Sequence, residues 1–320
     1  MRKAPKVILI TAAALIGTGA LLAGGAWASV GFETARLSTV DYDWNQTVRA
    51  LEDETAAAHQ RIVVTSEFEN VRIEAARSDA IELEYWTGAS QDVSVEDADG
   101  VLKINVDSKP MEGVIVDLSP VEAGDVEDTS TVVRVPASFT GEIEVHSDSG
   151  EVFAENMHGL AGLYASTSNG SLVVNNVGAT KVNAINENGD TLLSAVEAEA
   201  ILATNNNGDI SLGGATAREA EVVNENGEIM LVNMSLESAL TCNSVNGGIS
   251  AQRLDVVTSS VESVNGDIYL SYLGDESAHR IDVHTNLGDI DAPRGGNSTA
   301  DRAIDVDSDL GDIQINFTSK

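Results

Sequence analysis

The chain has 320 residues, with 51 acidic against 18 basic side chains and a net charge of −33. Binding to nucleic acid requires a basic surface that neutralises phosphates, so this balance argues against a nucleic-acid partner. With only 4% aromatic residues and a single cysteine, Cys242, the chain has neither a large aromatic core nor a disulfide framework.

An uncharged, mostly apolar segment of 26 residues runs from Val7 to Phe32, after three basic residues and before several acidic ones. About 20 apolar residues cross a bilayer, and basic flanks favour the cytosolic side. We therefore predict a cytosolic tail (1–6), a retained transmembrane helix (7–29) and a single-pass cell-membrane protein whose bulk is extracytoplasmic. The alternative is a signal peptide cleaved before Ser29, because Ala26-Trp27-Ala28 resembles a cleavage site.

The next two segments differ in pattern. Residues 30–60 are mixed and polar, and we interpret them as a juxtamembrane stalk with a short helix within Thr47–His59. Residues 61–140 show strand-like alternation and are interpreted as an N-terminal β part of the main domain. Strands are expected at 62–64, 71–75, 81–85, 93–96, 101–106 and 131–136, and a further strand at 114–118 within an acidic loop.

Residues 141–320 repeat one short phrase, typified by Asn206-Asn207-Gly208-Asp209-Ile210. The corner glycines of the successive copies are Gly150, Gly170, Gly189, Gly208, Gly227, Gly247, Gly266, Gly288 and Gly311. They are 19 to 23 residues apart, and a fixed period near twenty is typical of a repeat architecture.

Apolar residues alternate on both sides of each corner, for example Ile201 and Ala203 before Gly208 and Ile210 and Leu212 after it. Each repeat is therefore two short strands that face inward across a corner. Asn-Gly is also a strong hairpin signal, but a series of hairpins would leave one apolar sheet face uncovered. We favour an all-β fold, a β-solenoid or single-stranded β-helix of 19–20-residue rungs, because stacked rungs cover one another.

Stacking also places equivalent residues of successive rungs directly above one another. The sequence predicts an inner ladder of Asn186, Asn205 and Asn224 and a ladder of six isoleucines two residues after the corners. Cys242 falls on an inward position between Val222 and Val261, which indicates a small buried side chain and not a nucleophile.

A strand ending in Val135-Pro136, then the segment 141–152 and the serial Asn-Gly-Asp-Ile phrases resemble the bacterial DUF4097 family over about residues 61–320. That resemblance implies β-strand repeats and an adhesin-like role, often beside an N-terminal membrane segment. It implies no catalytic residue and no cofactor. The last two corners have Leu-Gly in place of Asn-Gly.

Motifs for catalysis are missing from the sequence. The five histidines have no zinc-ligand spacing, and the sequence has neither a Gly-x-Ser-x-Gly elbow nor a phosphate-binding glycine loop with lysine. We expect no enzymatic activity and no cofactor.

One column of acidic residues directly follows the corner glycines. Side by side in a stack, these carboxylates would repel one another unless water, salt or a hard divalent cation relieves the repulsion. The plainer interpretation is a solvated turn. The column comprises Glu151, Asp190, Asp209, Glu228, Asp267, Asp289 and Asp312, and all but Glu151 are candidate divalent-metal ligands.

A second column, three residues after the corner, should point outward although much of it is apolar. It contains Phe153, Val173, Leu192, Met230 and Tyr269. Exposed apolar stripes mark contact sites. We expect strands from residues 61–135 to cover Phe153, Val173 and Leu192; otherwise this stripe is a candidate protein-contact patch.

The sequence as a whole predicts a non-enzymatic, membrane-anchored, exported scaffold or adhesin-like binding module of the cell envelope, with an envelope protein or polysaccharide as its partner. One alternative is a protein that binds or processes envelope polysaccharide through the acidic edge. Another is an end-to-end polymer, because the C-terminal segment 315–320 lacks an evident cap and leaves an open strand edge.

Overall fold

The computed structural model describes residues 45–55, 58–87, 91–108, 130–294 and 296–319. The predicted tail (1–6), the transmembrane helix (7–29), much of the stalk and the strand at 114–118 lie outside these residues. Within the ranges that the structure describes, no helix is long and apolar enough to cross a membrane.

The described residues form 21 strands in one hydrogen-bonded sheet, with a short 3-10 helix at Glu276–Ala278. The strands expected between residues 62 and 136 are present, apart from the one outside the described residues. In chain order the strands are β1 Asn45–Thr55, β2 Arg61–Ser66, β3 Val71–Ala76, β4 Ala80–Thr87, β5 Gln91–Ala98, β6 Val101–Ser108, β7 Thr131–Pro136, β8 Glu142–Ser147, β9 Val152–Asn169, β10 Leu172–Asn188, β11 Thr191–Asn207, β12 Ile210–Gly213, β13 Thr216–Asn226, β14 Ile229–Val232, β15 Ser235–Asn246, β16 Ile249–Asn265, β17 Ile268–Leu273, β18 His279–Leu287, β19 Ile290–Asp291, β20 Arg302–Leu310 and β21 Ile313–Thr318.

The pairing confirms the β-solenoid. Strand β10 pairs with β11 in parallel, and Leu172 lies beside Thr191 as Asn186 lies beside Asn205. The same in-register parallel pairing continues through β13, β15 and β16. A meander of hairpins would pair its strands antiparallel, so the chain forms stacked coils and not a series of hairpins.

The inward columns form one continuous apolar core. The predicted isoleucine ladder is present, with Ile210, Ile229, Ile249, Ile268 and Ile313 in consecutive coils and Ile290 beyond them. Cys242 lies buried between Val222 and Val261 as predicted. Burial raises the pKa of the Cys242 thiol to about 12, which keeps it protonated and unreactive.

The corner glycines stack directly on one another. A Cβ at Gly170 would lie 2.5 Å from the carbonyl oxygen of Gly150, and the same collision recurs from coil to coil. Gly189 also has a φ of +131°, which residues with side chains rarely adopt. The collision explains why each corner retains glycine, and the left-handed backbone adds a second reason at corners such as Gly189.

The six coils whose corners run from Gly150 to Gly247 have a second bend that sequence reasoning missed, six residues after the corner. Asn156, Asn176 and Asn233 adopt φ between 53° and 58° there, and Ala195 adopts 51°. Asparagine tolerates this left-handed conformation better than most residues, so its recurrence at one spacing was a usable signal.

The N-terminal strands join the same stack. Strand β2 pairs in parallel with β8 and with β6, and β3 pairs in parallel with β9 and with β7. Their apolar side chains, including Ile62 and Ile73, are buried in the shared core. The expectation that these strands cover Phe153, Val173 and Leu192 is therefore wrong, because they extend the stack as further coils instead of lying on its outer face.

Antiparallel strands close the N-terminal end of the core. Strand β5 pairs antiparallel with β6, while β4 pairs antiparallel with β7 and with β1. The short helix expected within Thr47–His59 is wrong over β1, which is a strand with Leu51 buried against the core. Pairing with β4 decides the conformation of this segment and overrides its local propensity.

At the other end, the order of coils in space differs from their order along the chain. Strand β20 lies between β16 and β18, and β21 lies between β17 and β19. Strand β19 reaches only Ile313 and Gln314, so residues 315–318 pair with β17 on one side and with no described strand on the other, as expected for an open edge. The outermost coil is the one formed by β18 and β19, which we call the terminal coil.

Candidate functional surface

The predicted contact patch forms an outward stripe along the strands that follow the corners. Phe153 lies beside Val173, and Val173 beside Leu192. Ser211 and Ser250 then alternate with Met230 and Tyr269 in the next coils. Leu192, Met230 and Tyr269 are 42%, 47% and 46% exposed. All five predicted residues therefore share one face.

The first residue of this stripe is partly shielded. The guanidinium of Arg72, one coil away, lies 4.4 Å from the centre of the Phe153 ring and also pairs with Glu155. A cation over an aromatic face is attracted by the ring quadrupole. The freely accessible part of the stripe consequently begins at Leu192 and continues to Tyr269.

The acidic column runs two positions from the stripe, on the same side of each corner. Its carboxylates bond to the backbone of neighbouring coils: Asp190 Oδ1 accepts the N–H of Asp209 at 3.0 Å, and Asp209 Oδ1 accepts the N–H of Glu228 at 2.8 Å. At the far end Asp267 Oδ1 accepts the N–H of Asp312, and Asp312 Oδ1 that of Asp289, both at 2.8 Å. The carboxylates of the column therefore accept hydrogen bonds from backbone N–H groups at the corners.

These hydrogen bonds bear on the predicted metal role. One carboxylate oxygen already accepts a backbone N–H in each of four aspartates, Asp190, Asp209, Asp267 and Asp312. Across the described part of the chain, no three His, Cys, Asp or Glu side chains converge as a metal site. The arrangement favours the structural interpretation of the column.

The column also acts on Tyr269. The Tyr269 hydroxyl donates to Asp267 Oδ2 at 3.3 Å. The negative charge of Asp267 is the main cause that raises the pKa of Tyr269. The phenol stays protonated and presents a neutral face within an acidic surrounding.

Asparagines form two ladders rather than the single one predicted. The inner residues Asn186, Asn205 and Asn224 are buried, and their Nδ2 groups donate to the glycine carbonyls of the preceding corner at 2.7–3.0 Å. Amide-to-amide bonds occur instead in an exposed column directly before the corners. That outer ladder comprises Asn169, Asn188, Asn207, Asn226, Asn246 and Asn265.

A buried polar cluster near the terminal coil escaped the sequence analysis. His279 and Tyr272 are buried, and the Tyr272 hydroxyl lies 2.7 Å from Ser259 Oγ. Arg302 contacts His279 and also pairs with Asp255 at 2.7 Å. These residues come from four separate strands and show no common spacing, so no sequence pattern could have joined them.

The outward histidines are surface residues. His146 contacts Ser166 and Asp148 at 2.9 Å, and His284 contacts Asn286 at 3.1 Å. His146 thus lies between a serine hydroxyl and a carboxylate on the outward face of the strands.

A family model, Toastrack DUF4097, matches residues 59–316. The chain belongs to the DUF4097 family. This confirms the resemblance seen in the sequence, and the match runs from β2 into β21, including the stripe and the acidic column. The search of curated proteins gave no match.

Solved structures show related arrangements at low identity. A putative adhesin from Parabacteroides distasonis is 16% identical with a TM-score of 0.48, covering 86% of this chain and 98% of that one. A putative lipid binding protein from the same organism is 13% identical with a TM-score of 0.46, covering 87% and 99%. A putative adhesin from Bacteroides fragilis is 14% identical with a TM-score of 0.41, covering 86% and 97%. Because each TM-score is below 0.5, these likenesses give no conclusion about what this chain binds.

Proposed function

We propose that this DUF4097 protein is a non-enzymatic binding scaffold of the adhesin type. In this proposal, residues 7–29 anchor it in the cell membrane and the solenoid stands outside the cytoplasm. The supporting observation is the exposed stripe at Leu192, Met230 and Tyr269, which lies on the outer face of hydrogen-bonded coils. A chain with a net charge of −33 gains nothing in solubility from such a stripe, so a contact role accounts for it.

The surroundings of the stripe indicate the chemistry of its partner. The acidic column borders it except at Ser171 and Gly248, so a complementary surface carries apolar side chains flanked by lysine or arginine. We therefore propose an envelope protein with a basic rim as the partner. A polysaccharide is less well matched, because only Phe153 and Tyr269 in the stripe are aromatic and Phe153 is partly covered by Arg72.

Site-specific photocrosslinking in living cells tests this proposal. A benzoylphenylalanine at Met230 should give a discrete crosslinked product with one envelope protein, and Leu192→Glu should weaken it several-fold. The same probe at exposed Glu221, an outward residue on the strand before the corner, is the matched control. Equal products at both positions, or none at Met230, would contradict the contact role.

The anchor has its own test. The intact mass of protein extracted from membranes should include residues 7–29, and protease added to cells should reach the solenoid. A mass that begins at Ser29, with the protein in the medium, would mean that the segment is a signal peptide.

A further inference from the structure

We propose that the terminal coil is a dimerisation surface whose occupant is a second copy of this chain, paired antiparallel through β18. This inference is independent of the proposed partner of the stripe, because it concerns the end of the stack and not its side.

The backbone of the terminal coil is paired on one side only. Strand β18 pairs with β20, and β19 pairs with β21. No other strand in the described ranges pairs with either of them. The connection to β20 crosses only the start of this edge, where the N–H of Asn297 donates to the carbonyl of His279 at 2.8 Å. Residues 282–287 therefore present an open edge that can accept another strand.

The core is uncovered at the same place. Ile290 is 48% exposed, whereas Ile313 and Ile268, its equivalents in the next two coils, are fully buried. Val283 also faces inward yet is only partly buried. Leu287, at the last corner of the coil, is 68% exposed. A second molecule stacked here would remove this apolar surface from water.

The two ends of the stack differ in how far the core is covered. Antiparallel strands bury Leu51, Ile81 and Leu83 at the N-terminal end, although β5 there pairs only with β6. A head-to-tail filament would join β5 to β18, whereas a two-fold pair joins β18 to itself and closes after two copies. Complementary charge within β18 favours the two-fold pair.

Side-chain charge selects the register. Antiparallel pairing keeps inward residues opposite inward residues, so the possible two-fold centres on the open edge are few. With Val283 opposite the partner's Val283, Asp282 lies opposite the partner's His284. A centre at residue 282 would place two aspartates together, and a centre at residue 284 would place two histidines together. Of these three centres, the one at Val283 is therefore favoured, with two Asp282–His284 pairs per dimer.

Light scattering on the full chain in detergent, corrected for the micelle, tests the pairing. We expect a dimer at micromolar concentration. Val283→Lys puts an inward charge on the edge and should yield a monomer. Glu96→Lys, on edge strand β5 at the opposite end, should leave the dimer intact. A monomeric wild type, or a dimer lost in Glu96→Lys and retained in Val283→Lys, would overturn the proposal.

Disulfide trapping gives a second readout that does not depend on a core substitution. Chains with Asp282→Cys and chains with His284→Cys, both at exposed positions, are mixed and oxidised with copper phenanthroline. The mixed disulfide should exceed either self-pair several-fold, because these positions face each other. Buried Cys242 should not compete, since its thiol remains protonated. Self-pairs in excess, or no disulfide between chains, would overturn the register or the interface.

Discussion

Arg302 and His279 share a hydrogen bond that fixes the protonation state of the imidazole. The Nε–H of Arg302 donates to His279 Nε2 at 3.0 Å, and His279 Nδ1 lies 3.1 Å from the carbonyl oxygen of Asp275. Arginine only donates, so Nε2 carries the lone pair and Nδ1 carries the proton. Burial, the main cause, and the charge of Arg302 lower the pKa of His279.

This geometry predicts a loss of stability on mild acidification. In the unfolded chain a histidine has a pKa of about 6.5, whereas the folded protein holds that of His279 lower. Below about pH 6.5 the unfolded state binds more protons, so the free energy of unfolding falls until the pH passes the folded pKa. Thermal melts between pH 7.5 and 5 should show this fall. His279→Gln should flatten that part of the curve, and identical curves for both proteins would contradict the prediction.

The glycine column predicts a contrast between a stacked corner glycine and a glycine outside the column. Gly189→Ala should destabilise the protein by about 3 kcal/mol, because the new methyl group meets the carbonyl of Gly170 and the backbone is left-handed. Gly213→Ala is the matched control, since nothing lies within 4 Å of the added Cβ. Chemical denaturation should find the control neutral or stabilised by up to about 1 kcal/mol. Similar losses in both variants would refute the stacking argument.

The hydrogen bonds of the inner asparagine ladder predict that threonine, but not alanine, can replace Asn205 with little loss of stability. Asn205 Nδ2 donates to the carbonyl of Gly189 at 2.7 Å, and Asn205→Ala should cost about 1–3 kcal/mol by leaving that carbonyl without its donor. Thr167 makes the equivalent bond to Gly150 through its hydroxyl at 2.8 Å. Asn205→Thr should therefore recover most of the loss in urea denaturation. A threonine variant as unstable as the alanine one would show that size, and not hydrogen bonding, matters here.

The acidic column should respond to ionic strength and not to a particular cation. Each bonded aspartate oxygen already accepts a backbone N–H, which leaves no closed oxygen cage for calcium. Melting curves in calcium, magnesium and sodium chloride at matched ionic strength should agree. A rise specific to calcium that disappears in Asp209→Asn with Glu228→Gln would restore the metal interpretation.

Much of the stack was predictable because its constraints repeat. Every corner needs a glycine for the same steric reason, and every inward position is apolar because the coils above and below cover it. The stripe was placed correctly for the same reason. The second bend was overlooked because Ala195 and Arg253 interrupt the Asn and Gly series at that position.

The ends of the stack could not be predicted in this way. The repeats at Gly288 and Gly311 have nearly the same pattern, so alternation alone fits either order in space. One sequence feature did distinguish these two coils from the others. Their corners have Leu287 and Leu310 in place of asparagine, and the outer asparagine ladder stops there. The conformation of β1 likewise depends on its pairing with β4, which local sequence does not record.

The exchanged order of the last two coils has a consequence for biosynthesis. Residues 279–291 leave the ribosome before residues 302–318, yet the native neighbour of β18 is β20. Strand β18 can therefore pair in its native position only after β20 has been synthesised. A nascent chain interrupted near residue 300 therefore lacks β20 and β21, the strands with which β18 and β19 pair. Folding of this end of the stack can begin only after the final residues have been synthesised.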